Sequence, residues 1–412
     1  MQKTASNLRA GLLGAHLSHS FSPRIHRDLG GYTYHLFEIE ENQLADFLRS
    51  NAFDALNVTI PYKKAVIPFL HALSPRAEKI GAVNTILRRP DGTLFGDNTD
   101  YDGLAFMLSS RGISPMGKKV LILGSGGASA TAAALIRTLG GDAVIISRTG
   151  ENNYGNLARH RDAEILINAT PVGMYPQNGE VPLSLAELPS LKAVFDLIYN
   201  PLRTRLLQEA AARGLIAENG LSMLVAQAHR AAELFLDCSL PKADIERITG
   251  ALRAAQENVV LIGMPGCGKT TLGHMLAAAL DRPFIDIDEE IVKAAGMSIP
   301  DIFRIEGETG FRAREHEALA CATRTGGAVI ATGGGVVTRP DNEFFLRQNG
   351  RVIFLDIPPA GLPTQGRPLS QARSPEALYR ERLPLYRKMA DVTIAITRDA
   401  TENLAKLKEA LS

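Results

Sequence analysis

The chain is poor in cysteine, has no long apolar run and carries no excess of either charge. Its three cysteines, Cys238, Cys267 and Cys321, have no CxxC spacing, which is typical of a reducing compartment rather than a disulfide framework. No segment approaches the roughly 20 apolar residues of a membrane span, and the N-terminal apolar run is too short for a signal peptide. The formal net charge of +1 creates no field that favours nucleic acid or an anionic membrane. These absences predict a cytoplasmic protein that acts on small molecules, without a nucleic acid or membrane partner.

The pattern along the chain indicates several α/β domains. At 412 residues, with 22% charged and 45% hydrophobic residues, the chain has the size and composition of roughly two to four globular domains. Strand-like and helix-like runs alternate, and Gly and Pro separate them. From residue 118 the βαβ succession predicts a parallel, doubly wound sheet. Residues 221–255 have a helical pattern, and we expect these helices to pack back on the first domain.

Two glycine-rich turns, GSGGA at 124–128 and GMPGCGKT at 263–270, each follow an apolar strand-like run. In a strand, turn, helix setting, backbone N–H groups and a helix N-terminus bind phosphate, so the chain is predicted to bind two nucleotides. In the second turn, Lys269 is expected to contact the β and γ phosphates of ATP, and the Thr270 hydroxyl to bind Mg²⁺. The positions expected to bind this nucleotide are Gly263, Gly266, Cys267, Gly268, Lys269, Thr270 and Thr271.

The first turn predicts a dinucleotide site. Arg148 follows the second strand, where an NAD-binding fold usually has an acid on the ribose, and an arginine there suits the 2′-phosphate of NADP. A solvent-facing Arg148, and a glycine turn that only lets a helix pack on a strand, are the alternatives. The positions expected to bind NADP(H) are Gly124, Ser125, Gly126, Gly127, Ala128, Ser147, Arg148, Thr149 and Gly220.

Residues 9–250 resemble the shikimate dehydrogenase family. Seven motifs occur in the family's order: HSFSP, NVTIPYK, GAVNT, GDNTD, NATPVGM, DLIYNPLRT and GLSMLVAQ. The resemblance implies NADPH-dependent reduction of 3-dehydroshikimate to shikimate, with Lys63 and Asp100 as the catalytic acid/base pair. A solvated surface lysine is the alternative for Lys63 taken singly. The positions implied to bind the substrate are Ser20, Ser22, Thr59, Asn84, Tyr199 and Gln227.

The two serines of the first motif lie two residues apart. On an extended segment, Ser20 and Ser22 would point the same way and could both bind a substrate carboxylate. The alternative is that they cap a helix that begins at Pro23.

Residues 258–412 resemble the shikimate kinase family. The motifs FIDID, SIPDIFRIEGETGFRAREHE, ATGGG, GRPL and LPLYRKMAD occur in order. The resemblance implies MgATP-dependent phosphorylation of shikimate at its 3-hydroxyl. Asp288 would accept the proton of the attacking hydroxyl, Lys269 would contact the phosphates, and Arg367 would close over the transferring group.

A carboxylated polyol needs guanidinium groups for its carboxylate and a backbone that it can approach closely. The positions that fit these needs are Arg312, Gly333, Gly334, Gly335 and Arg387. Asp286 is expected to hold Mg²⁺ together with Thr270. Surface ion pairing with Glu308 and Glu315 is the alternative for Arg312, and helix capping is the alternative for Asp286 and Asp288.

The predicted fold is α/β throughout. A split α/β substrate domain covers residues 1–104 and 218–255, a Rossmann-like NADP domain covers 105–217, and a P-loop domain of nucleoside-monophosphate-kinase type with a parallel sheet covers 256–412. We expect a bifunctional enzyme of the shikimate pathway, either monomeric or a homo-oligomer. The stretch 356–367 is shorter than the kinase pattern, which leaves open a non-catalytic ATP-sensing domain. Quinate or another cyclohexane polyol is the alternative first substrate.

Overall fold

The computed structural model describes residues 7–17, 20–358 and 374–411. It divides into two compact units, Met1–Asn200 with Thr204–Leu252, and Pro201–Arg203 with Arg253–Ser412. The first unit contains two sheets and the second contains one. Within the described ranges, no helix combines the length and the hydropathy that a membrane crossing needs.

The first sheet has six strands in the order β2-β1-β3-β5-β6-β4 and is mixed, since β5 runs antiparallel to both β3 and β6. Its strands are β1 (Ala10–Gly14), β2 (Tyr34–Glu38), β3 (Ala55–Val58), β4 (Ala72–Leu73), β5 (Thr85–Arg88) and β6 (Leu94–Asp97). The accompanying helices are α1 (Ser22–Gly30), α2 (Leu44–Arg49), α3 (Pro75–Ile80) and α4 (Asp100–Ser109). Leu13, Leu56 and Ile86 lie fully buried between them.

The second sheet has five parallel strands in the order β11-β10-β9-β7-β8. The strands are β7 (Lys119–Leu123), β8 (Asp142–Ile146), β9 (Ile165–Asn168), β10 (Ala193–Asp196) and β11 (Ile216–Asn219), with helices α5 (Gly127–Thr138) and α6 (Arg205–Ala212). Because β8 and β9 lie on opposite sides of β7, the strand order reverses at the carboxyl end of β7. In doubly wound sheets, this is the point at which ligands bind.

Two helices follow the second sheet, α7 (Leu221–Leu236) and α8 (Ala243–Gln256). As expected from the sequence, α7 packs back on the first part of the chain, against α1 and α4. The approach to α4 is close, because a Cβ at Gly103 would lie 2.6 Å from the Met223 carbonyl oxygen.

The second unit holds a parallel sheet in the order β13-β14-β12-β15-β16. Its strands are β12 (Asn258–Gly263), β13 (Phe284–Asp286), β14 (Val329–Ala331), β15 (Gly350–Asp356) and β16 (Val392–Ala395). Its helices are α9 (Lys269–Leu280), α10 (Ile287–Ala295), α11 (Ile299–Ala322), α12 (Asn342–Gln348), α13 (Pro375–Met389) and α14 (Ala400–Glu409). Val260 and Ile262 enter one core cluster and Val259 and Leu261 the other, so both faces of central strand β12 are buried.

Two candidate active sites

The first candidate site is built around Lys63 and Asp100. Lys63 lies on the turn after β3, and Asp100 is the first residue of α4. Lys63 Nζ donates a hydrogen bond to Asp100 Oδ2 at 2.6 Å, and 23% and 11% of the two side chains are exposed. An ammonium held this close to a carboxylate, yet still open to solvent, can give a proton to a substrate oxygen and recover it, as an acid/base pair must.

Asn84 holds the other side of the Asp100 carboxylate, and its orientation is fixed. Its Oδ1 accepts from the backbone N–H of Thr99 at 2.7 Å and from the Thr85 hydroxyl at 3.0 Å. Because a backbone N–H can only donate, the Asn84 Nδ2 must face away from it, and it donates to Asp100 Oδ1 at 2.9 Å. Sequence reasoning did not single out Thr99 or Thr85, although Thr99 belongs to the GDNTD motif.

Gln227, on α7, joins the same cluster. Its Nε2 donates to the Leu224 carbonyl at 2.8 Å, which turns its Oε1 toward Asn84 Nδ2 at 3.4 Å. Hydrogen bonds therefore bring together four predicted positions that are far apart in sequence: Lys63, Asn84, Asp100 and Gln227.

The remaining predicted substrate positions lie on other loops or, for Ser22, at the start of a helix. Ser22 begins α1, so the predicted extended segment at the two serines is wrong. Ser20 Oγ accepts from the Ser22 N–H at 3.2 Å, and among the described residues no side chain caps α1 at Phe21. Tyr199, after β10, lies beside this segment with its ring 5.8 Å from that of Phe21. Burial raises the pKa of Tyr199, so its phenol stays a donor at neutral pH. Thr59 follows β3, and its N–H donates to the Leu13 carbonyl.

The glycine turn between β7 and α5 has the geometry of a phosphate site. Gly124 has a φ of 106°, and a Cβ there would lie 3.1 Å from the Ala169 carbonyl oxygen, so a larger residue would be strained. Helix α5 starts at Gly127 without a side-chain cap from the described residues, which leaves its first N–H groups for an anion. Asn98, two residues before Asp100, donates to Thr131 on α5 at 3.4 Å and connects this helix to the Lys63 cluster.

The ribose-binding positions follow β8, the strand next to β7. Arg148 is exposed there, and the Ser147 hydroxyl donates to the Thr149 carbonyl. At position 220, packing alone requires a glycine, because a Cβ would lie 2.1 Å from the Leu197 carbonyl oxygen.

The second candidate site begins with the phosphate loop between β12 and α9. Its glycines Gly263, Gly266 and Gly268 all have positive φ angles, which curl the backbone round a cavity. Lys269 Nζ donates to the carbonyls of Gly263 and Met264 at 2.9 and 3.0 Å, so the ammonium lies across the loop where phosphate oxygens would bind.

The predicted magnesium positions meet directly. Thr270 Oγ1 donates to Asp286 Oδ2 at 2.7 Å. Asp286 Oδ1 accepts from the Asp288 N–H at 2.9 Å, so Asp286 also caps α10, as the alternative interpretation held. A hydroxyl and a carboxylate beside a phosphate loop fit Mg²⁺, which takes few protein ligands and keeps water and phosphate oxygens. Among the described residues, no group of three or more His, Cys, Asp or Glu side chains could hold a metal without such help.

A cavity of about 710 Å³ opens between the phosphate loop and the sequence-predicted substrate positions. Its lining includes Lys269, Thr270, Asp286, Asp288, Arg312, Glu315, Gly333, Gly334, Gly335 and Arg382. Arg312 is only 13% exposed and donates to the fully buried Glu315 at 2.6 Å. It also pairs with the exposed Glu308 at 3.4 Å, so surface ion pairing accounts for only one of its two contacts. Burial raises the pKa of Glu315, and the Arg312 guanidinium opposes that rise.

The triple glycine after β14 allows the walls of this cavity to close in. A Cβ at Gly333 would lie 2.4 Å from Glu315 Oε1, and one at Gly335 would lie 2.1 Å from the Arg312 guanidinium. Side chains at these positions would displace the groups that are predicted to bind the substrate.

The structure does not bring Arg387, assigned from the sequence to the substrate carboxylate, to the cavity lining. Arg387 is exposed and does not line the cavity, whereas Arg382, on the same helix α13, lines it and is 4% exposed. Five residues on an α-helix are about 140° apart, so the two arginines occupy different faces. The Nε atoms of Arg312 and Arg382 are both buried without a hydrogen-bond partner in the described residues, which suits an anionic ligand. Arg367 lies outside the described residues.

Comparisons with known proteins match both parts of the chain. A family model described as shikimate dehydrogenase substrate binding domain matches residues 12–86, and one described as shikimate kinase matches residues 265–412. A relative from Clostridium perfringens, shikimate dehydrogenase (NADP(+)), is 35% identical over 266 residues, 59% of this chain and 97% of its own length. Its counterpart from Geobacillus kaustophilus is 40% identical over 53% of this chain and 88% of its length.

Solved structures agree with these relatives. The crystal structure of Thermus thermophilus shikimate 5-dehydrogenase with NADP(H) and shikimate is 32% identical, covers 59% of this chain and 99% of that chain, and has a TM-score of 0.54. A chorismate mutase/shikimate 5-dehydrogenase fusion protein from Clostridium acetobutylicum is 34% identical over 59% of this chain and 96% of its own, with a TM-score of 0.56.

Fold and sites thus define an oxidoreductase joined to a kinase in one polypeptide. The chain belongs to the shikimate dehydrogenase family and carries a C-terminal shikimate kinase domain. The predicted family memberships and the α/β fold class are confirmed. The exact domain boundaries remain a prediction.

Proposed function

We propose that the first unit reduces 3-dehydroshikimate to shikimate with NADPH and that the second phosphorylates the shikimate 3-hydroxyl with MgATP. The observation that carries the proposal is the pairing, in each unit, of a phosphate-binding glycine turn with side chains suited to a hydroxylated carboxylic acid. The product of the first reaction would be the substrate of the second. A cytoplasmic location and a homo-oligomeric state stay predictions.

In the reduction, NADPH would supply a hydride to the carbonyl carbon of the substrate. Lys63 gives a proton to the carbonyl oxygen, which becomes the new hydroxyl, while Asp100 holds the ammonium in place. Asn84, fixed by Thr99, keeps the Asp100 carboxylate pointed at Lys63. The N-terminus of α5 would bind the pyrophosphate of NADPH, and Arg148 its 2′-phosphate.

In the phosphorylation, MgATP would supply the γ-phosphoryl group. Asp288 accepts the proton of the attacking hydroxyl, and Lys269 would neutralise charge on the phosphates. Thr270 and Asp286 would hold Mg²⁺. Arg312 and Arg382 bind the carboxylate, which orients the ring in the cavity.

Assays of the purified full chain test both halves. We expect NADPH consumption that depends on 3-dehydroshikimate, and ADP and shikimate 3-phosphate formation that depends on shikimate. In the reverse direction, NADP⁺ reduction is measured with shikimate and with quinate as the matched control, and a faster rate with quinate would refute the shikimate assignment. ATP binding without turnover in the presence of shikimate would instead support the ATP-sensing alternative.

A further inference from the structure

Tyr386 is a fully buried side chain that contacts Gly334, a residue in the lining of the kinase cavity. Its ring stacks on that of Phe354, with centroids 4.9 Å apart and planes 13° from parallel. Its hydroxyl donates to the Gly334 carbonyl. Burial raises the pKa of Tyr386, so the hydroxyl keeps its proton and remains a donor.

The Gly334 carbonyl has a second donor on the same helix. Arg382 Nη1 donates to it at 3.0 Å, and Arg382 and Tyr386 are four residues apart, on one face of α13. Because a peptide unit is planar, two donors on this carbonyl also fix the direction of the Gly335 N–H. The central peptide of the triple glycine is therefore held by α13.

Gly334 also touches the phosphate loop. A Cβ at this position would lie 2.5 Å from Pro265 of that loop. The Tyr386 hydroxyl lies 3.9 Å from the sulfur of Met264, the residue before Pro265. Tyr386 thus contacts both the loop predicted to bind ATP and the loop predicted to bind the polyol.

We propose that Tyr386 is a positioning residue for phosphoryl transfer, whose hydroxyl fixes the triple-glycine loop against the phosphate loop and so aligns the substrate hydroxyl with the transferring phosphoryl group. This inference rests on the proposed kinase function. In-line transfer depends on the alignment of attacking and leaving oxygens, and a small misplacement slows it strongly. With the hydroxyl misplaced, water competes for the phosphoryl group.

The test is Tyr386→Phe in the full chain, which keeps the stacked ring and removes only the hydroxyl. We expect the kinase kcat to fall about 10- to 100-fold. We expect the wild type to form ADP and shikimate 3-phosphate in equal amounts, and the variant to form ADP in excess. Tyr379→Phe is the matched control. Tyr379 lies on the same helix as Tyr386, its hydroxyl donates to Asp356 at 2.7 Å, and it does not line the cavity.

A second variant separates positioning from support of the core. Phe354→Leu removes the stacked ring but leaves the Tyr386 hydroxyl, so ADP and shikimate 3-phosphate should stay equal. Equal products and unchanged kcat in Tyr386→Phe would overturn the inference, as would the same excess of ADP in Phe354→Leu. A wild-type chain without kinase activity would overturn the proposed function instead.

Discussion

Asp100 lies 2.6 Å from the Lys63 ammonium and 2.9 Å from the Asn84 amide, so its carboxylate is held on both sides by donors. The arrangement joins Lys63, the proposed proton donor, to the first residue of α4. Because Lys63 is the lysine bound to Asp100, its effect on the reduction can be compared with that of the adjacent Lys64.

Replacing Lys63 tests this role. We expect Lys63→Ala to lower the dehydrogenase kcat by about 10²- to 10⁴-fold, since the proton donor is lost, and to leave the kinase rate unchanged. Lys64→Ala is the control, because Lys64 is the next residue and is exposed. Equal rates in the two variants would remove Lys63 from the mechanism.

In the kinase, Lys269 is the lysine that we propose neutralises charge on the ATP phosphates. Lys269→Ala should lower the shikimate-dependent ATP turnover by about 100-fold or more, because the charge across the phosphate loop is lost. The dehydrogenase rate should not change. Lys293→Ala removes an exposed lysine paired with Glu290 and should leave both rates intact; a similar kinase loss there would mean that Lys269 has no special role.

Arg382 and Arg387, both on α13, should differ sharply in their effect on shikimate binding. Arg382→Ala is expected to raise the KM for shikimate about 10- to 100-fold, because it removes a charge-assisted contact to the substrate carboxylate. Arg387→Ala, at an exposed position, should stay within about twofold of the wild type. Steady-state kinetics at saturating ATP measures both, and the reverse ranking would restore the sequence-based assignment.

Arg148 should determine the choice of dinucleotide. We expect Arg148→Ala to raise the KM for NADPH about tenfold or more while the KM for NADH changes little, because only NADPH has the 2′-phosphate. Arg159→Ala, at another exposed arginine of the same sheet unit, is the control. An equal rise in the KM values for NADPH and NADH would argue that Arg148 does not recognise the 2′-phosphate.

Asp196 should make the stability of the first unit depend on pH. Burial raises the pKa of Asp196 to about 7, against the hydrogen bonds from Thr204, Ile198 and Asn168. Between about pH 4 and pH 7, the folded state therefore binds a proton that the unfolded state has lost. Stability from this group falls as the pH rises through that range, by at most about 4 kcal/mol.

Asp196→Asn should remove this dependence, because the amide can keep contacts with the same three partners without a charge. Urea unfolding of the variant and the wild type is monitored by circular dichroism at several pH values. As the pH rises from 4 to 7, the urea midpoint of the wild type should fall relative to that of the variant. Asp162→Asn is the control, since Lys119 lowers the pKa of the exposed Asp162 and its titration lies below this range. Parallel midpoints for Asp196→Asn and the wild type would contradict the expectation.

The sequence alone determined the family and fold class of the domains. The glycine-rich turns that contain Gly124 and Gly263 can be recognised in the sequence because they require backbone angles that other residues avoid. Strands before those turns and helices after them follow from local patterns, and the pairs Lys63 with Asp100 and Thr270 with Asp286 met as expected.

The tertiary structure alone decided which face of an element meets the site. Arg382 and Arg387 lie only five residues apart in the sequence, and only the rotation of α13 against the triple glycine separates their roles. The Asn84 amide is oriented by Thr99, and Tyr386 reaches both kinase loops, through contacts between residues distant in sequence. Local patterns fix the backbone, whereas side-chain direction depends on helix phase and on neighbours that only the packed chain supplies.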